Sequence, residues 1–85
     1  MSRKDKLLVR LQDKPKNFTW DDAVTLMRQC GFTVIKGKGS RRKFVNKEKD
    51  LLVIIHEPHP QNTLKAYNVN DLIDCLKNAG EITSE

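Results

Sequence analysis

The sequence is short of cysteine, and the little it has argues against a stapled fold. Cys30 and Cys75 are its only two, each inside a helix-like amphipathic stretch where a free thiol behaves as a small buried hydrophobe. A disulfide framework or a zinc site needs more such residues at closer spacing. Long apolar runs are missing as well. The longest, Leu51 to Ile55, is far below the ~20 residues needed to span a bilayer. With no apolar leader either, the expected setting is reducing and cytoplasmic. Aromatic residues are few, at 6%, and acidic residues are outnumbered, 11 against 16 Lys and Arg.

What is present fits one small globular domain. The chain has 85 residues, 38% apolar and 32% charged, a composition outside the disordered class. A chain of this length buries only about 60–70% of its unfolded surface, so its core must be compact. The positive charge is local. Residues 1–16 carry six basic against two acidic residues, net +4, and residues 36–50 carry seven against two, net +5. Residues 57–85 are net −3. A concentrated basic field is what a polyanion would find; the alternative is a solvated Lys-rich surface.

Periodicity predicts the elements. Leu7, Leu8 and Leu11 sit at helical spacing behind Ser2, giving a short helix within a basic N-terminal segment, residues 1–16, that Pro15 ends. Thr19 and Asp22 form a capping pair for a helix whose stripe is Trp20, Ala23, Val24, Met27 and Cys30, with Gly31 as its stop. On that stripe Trp20 reads as core rather than as a stacking platform. Three β-branched segments follow, 32–36, 42–46 and 51–56, joined by four-residue turns that favour an antiparallel meander. Asn68 is expected to cap a last helix carrying Val69, Leu72, Ile73, Leu76 and Ala79, and Gly80 to end it. The fold class is α+β, ordered α-β-β-β-α: a three-stranded antiparallel sheet with two helices on one face and an extra N-terminal helix. The domain proper spans 17–80, and 81–85 is expected to be a disordered tail. The third strand is apolar on both faces, so one face is left for the N-terminal segment or for a protein partner.

The most informative stretch is Lys36, Gly37, Lys38, Gly39, Ser40, Arg41, Arg42 and Lys43. Glycines let a backbone approach a ligand, and free N–H groups with a hydroxyl can hold phosphate oxygens. Strand alternation puts Arg41 and Lys43 on one face, and Arg42 with Phe44 on the other. These residues are the candidate RNA contacts. The spacing fits neither a P-loop nor a dinucleotide fingerprint, and a hairpin with solvated charges is the plain alternative. A second cluster, His56, Glu57 and His59, lacks further ligands for a metal. Histidine titrates near neutrality and so suits acid–base work, unless a backbone hydrogen bond accounts for it.

In order, Lys14-Pro-Lys-Asn-Phe-Thr-Trp20, Cys30-Gly-Phe32, Gly37-Lys-Gly-Ser40 leading into a basic strand, Pro58-His59, and a helix ending Ala79-Gly80 resemble the HicA toxin family. The resemblance covers residues 14–80. It implies a double-stranded-RNA-binding-domain-like fold, an endoribonuclease (mRNA interferase) cutting mRNA with no metal or other cofactor, and a HicB-type antitoxin partner. The family's Gly-Ser-His motif, whose histidine is taken as catalytic, is Gly39-Ser40-Arg41 here. Arginine stays charged and cannot be a base, though it can grip a phosphate. The acid–base role then falls to His59, or secondarily His56, with Arg41 as its catalytic companion. A non-catalytic RNA-binding module of the same fold is the alternative, and a protein-interaction domain working through the spare strand face is a third.

Overall fold

The computed structural model describes residues 2–82. Helix α1 spans Arg3–Gln12 and α2 spans Trp20–Gln29. Strands β1 (Thr33–Lys36), β2 (Arg41–Asn46) and β3 (Leu51–His56) follow, and α3 (Ala66–Asn78) closes the chain. The strands form one antiparallel sheet in the order β1-β2-β3, the expected meander. Among the described residues no helix is long and apolar enough to cross a membrane.

Local chemistry sets the helix ends. The Ser2 hydroxyl accepts from the Asp5 N–H and the Thr19 hydroxyl from the Asp22 N–H, each at 3.1 Å, so both first turns have a donor satisfied. Helices α2 and α3 end alike. Gly31 (φ +90°) donates to the Arg28 carbonyl while Phe32 donates to Met27. Gly80 (φ +80°) donates to Lys77 while Glu81 donates to Leu76. These paired bonds need a left-handed residue after the helix, which glycine takes without a Cβ clash. The first such turn sends Phe32 into the core, and the second returns Ile82 to it.

Alternation along β2 and β3 builds the core. Phe44 is fully buried on β2 and packs against Trp20, ring centroids 5.5 Å apart. Leu51, Val53 and Ile55 turn toward the helices, whereas Leu52 and Ile54 are exposed on the other face. The N-terminal helix does not cover that face. Its Leu7, Leu8 and Leu11 are buried where α1 packs on α2 and α3, so the helical layer has three members and the sheet keeps one open side.

Two expectations are corrected. Asn68 does not cap α3: the cap is Lys65, three residues earlier, and Asn68 is a buried residue of the helix's first turn. Leu64 is tied by its N–H to the Phe18 carbonyl and Thr63 bridges Thr19, which anchors the chain so that the helical turn starts at once. Residues 81 and 82 are not a loose tail either. Glu81 pairs with Lys4 at 2.7 Å and Lys49 at 3.8 Å, and Ile82 joins the core; residues 83–85 lie outside the described chain.

Both cysteines are free and buried. Burial, helped by the Glu81 carboxylate, pushes the Cys30 thiol up to about 11, and burial raises Cys75 too. An unfolded thiol ionises near pH ~8.5, so above that pH the unfolded chain has lost a proton that the folded chain keeps. Stability is therefore full below about pH 8.5 and falls as the pH rises toward 11. Denaturation midpoints from pH 7 to 11 should show this loss, and Cys30→Ala should flatten it; an unchanged slope in that variant contradicts the assignment.

Candidate nucleic-acid interface

The turn between β1 and β2 projects from one end of the sheet. Gly37 donates to the Arg41 carbonyl at 2.8 Å, and Arg41 donates back to Lys38 at 3.1 Å. A Cβ on Gly37 would lie 3.2 Å from the Arg41 carbonyl oxygen, so this glycine serves the close approach of the two strands. Gly39 differs: its φ is +58°, and nothing lies within 4 Å of where its Cβ would be. Gly39 thus shapes the turn and leaves open space in front of it.

The basic residues divide between the two sides of the sheet. Arg41 and Lys43 point to the open face, where the register sets Arg41 opposite His56 and Lys43 between Ile35 and Ile54. Lys38, Gly39 and Ser40 are exposed at the turn. Lys36 and Arg42 lie on the helical side, lining a shallow cleft with Trp20, Val24 and Arg28. Arg42 is also spoken for. Its guanidinium donates to Glu57 Oε1 at 3.1 Å and to the carbonyls of Gly39 and Arg41 at 2.8 and 2.9 Å. With its side chain only 12% exposed, it acts as a clamp that ties the turn to the end of β3.

The two histidines occupy different surroundings. Ser40 Oγ is 3.2 Å from His56 Nδ1, and the Glu57 N–H donates to the Ser40 carbonyl at 2.8 Å. His56 is therefore held at the turn by a side-chain and a neighbouring backbone contact, on the same face as Arg41. His59 lies further along, lining a cleft of about 240 Å³ with Gly39, Ser40, Arg42, Glu57 and Pro58. The structure gathers Ser40, Arg41 and His56 directly, and adds His59 across the cleft. The His56 contact was within reach of the sequence. A four-residue turn at Lys47–Asp50 pairs Asn46 with Leu51, and counting outward from that pair sets Arg41 against His56.

Two residues beside this edge escaped the sequence altogether. Lys65 and Tyr67 line a further cleft with both histidines. They stand at the start of α3, ahead of the Asn68 cap that the sequence predicts.

The model of one protein family, described as HicA toxin of bacterial toxin–antitoxin, matches residues 20–81. Comparisons with curated proteins and with solved structures find no match.

The clamp can be tested apart from any ligand. Arg42→Ala removes three hydrogen bonds from one charged group, and amide exchange at Gly37 and Glu57 should quicken by about tenfold or more. Arg42→Lys should not restore protection, because an ammonium lacks the planar fork that reaches three acceptors. Unchanged exchange in Arg42→Ala would show that the turn is held by its backbone alone.

Proposed function

The chain belongs to the HicA toxin family of bacterial toxin–antitoxin pairs, and on that premise we propose that it is a ribonuclease toxin cutting mRNA without a metal. The observation that carries the proposal is the grouping of Ser40, His56 and Arg41 at one sheet end, with His59 across the adjoining cleft. Lys38 and Arg41 supply exposed positive charge for the phosphates, with half-buried Lys43 behind them, and the Gly39–Ser40 turn supplies open backbone beside them. Lys36 and Arg42 belong to the outer margin of such an interface, since they face the other side of the sheet.

Metal-free RNA cleavage needs two proton transfers. A base takes the proton from the 2′-hydroxyl, whose oxygen attacks the neighbouring phosphorus. The bond to the 5′-oxygen breaks, and an acid protonates that oxygen. A 2′,3′-cyclic phosphate and a free 5′-hydroxyl result. Two histidines at one edge can supply one transfer each, with Ser40 holding the His56 ring through Nδ1. Arg41 occupies the position of the family motif's histidine and stabilises the charge that gathers on the phosphate.

That replacement also favours a second reading, binding without cleavage. One assay separates the two. The purified chain, in chelator, should cut single-stranded RNA, and His59→Ala and His56→Ala should each slow it by about 100-fold or more. Arg41→Ala should lose both affinity and rate. RNA bound but left intact from pH 5 to 8 supports the second reading and rejects the first.

A HicB-type antitoxin is the proposed partner, and the open sheet face is its proposed seat. Ile35, Leu52 and Ile54 are exposed there beside Arg41, Lys43 and His56. A partner with apolar residues ringed by acidic ones would cover both the hydrophobes and the site. Leu52→Asp should therefore escape neutralisation when toxin and antitoxin are co-expressed, while toxicity alone is kept. Normal neutralisation of that variant places the antitoxin elsewhere.

A further inference from the structure

Glu57, Pro58 and His59 form a ridge between two clefts. One is the cleft before the Gly39–Ser40 turn. The other, also about 240 Å³, is lined by His56, His59, Lys65 and Tyr67. Tyr67, the chain's one tyrosine, is 58% exposed and takes no part in the hydrophobic core. Lys65 makes no ion pair among the described residues. Glu57 is the one carboxylate on the ridge, and it is engaged by Arg42. The walls are also held in place: Glu57 is bonded to Ser40 at one end, and Thr63 and Leu64 are tied to Thr19 and Phe18 at the other.

We propose that this second cleft is a nucleobase subsite, in which one unpaired base stacks on Tyr67 while Lys65 meets the phosphate beyond it. The inference rests on the reading of the turn as an RNA contact and adds where an unpaired base of that strand is held as it crosses the ridge. An aromatic face beside a cationic group is the usual means of holding a base and its backbone together. A base inside a duplex is already stacked on both sides and cannot use the ring. The helical RNA suggested by the fold's resemblance is thus the poorer ligand for this chain.

The test is fluorescence anisotropy with short 2′-O-methyl RNA, which cannot be cut, as a single strand and as a duplex. Tyr67→Ala should weaken single-strand binding by about 5- to 150-fold, the span of one base–aromatic stack, and Tyr67→Phe should stay near wild type. Duplex should bind more weakly than single strand and should not respond to Tyr67→Ala. Full single-strand affinity in Tyr67→Ala, an equal loss in Tyr67→Phe, or an equal loss on duplex each overturns the subsite. The double variant Lys38→Ala with Lys43→Ala tests the turn separately. If it binds normally while Tyr67→Ala does not, the turn reading fails and the subsite stands. A wild-type chain that binds neither RNA overturns both.

Discussion

Phe44 lies fully buried at the middle of the central strand, against Trp20, and its inward direction determines where every other residue of that strand must point. Strand alternation has a period of two, so an inward Phe44 sends Arg42 and Asn46 inward and Arg41, Lys43 and Val45 outward. A slip of one residue would bury two cations and expose the aromatic ring. The basic face is therefore a consequence of the core, and the energy of burying Phe44 is what keeps Arg41 and Lys43 in front of solvent.

The inward cation on that strand has a different use. Arg42 lies where the sheet leaves the helices, near enough to the surface for its charge to be met by Glu57 and by two carbonyls. Those bonds draw together the turn after β1 and the strand end after β3, which are far apart in the chain. Ser40 adds the contact to His56 from the other side. Asn46 does related work at the opposite end, accepting from the Lys49 N–H at 3.0 Å and donating to the Cys30 carbonyl at 3.5 Å. Both ends of β2 are thus fastened by polar side chains, and the site sits at the end whose fastening is a charge.

Much of the candidate site was legible because it lies on a strand. Once the turns were placed, the split between Arg41 and Arg42 followed from alternation. Composition does not show that the Arg42 guanidinium already has three acceptors. Lys65 and Tyr67 were hidden for another reason. Capping preference points to a helix start at Asn68, whereas tertiary ties at Thr63 and Leu64 start the helix at Ala66. Local preference of about 1 kcal/mol gives way easily to such anchoring.

By itself the amino-acid order determined the α-β-β-β-α arrangement, the two glycine helix stops, the inward Phe44 and the basic turn. Each of these depends on neighbours within a few residues, through alternation, helical period or a left-handed φ. Only the tertiary structure decided that α1 joins the helical layer and leaves the sheet open, and that Ile82 returns to the core. It alone decided, too, that Tyr67 stands beside both histidines. Those outcomes rest on contacts between separate elements, where packing and loop closure, rather than local preference, set the distances.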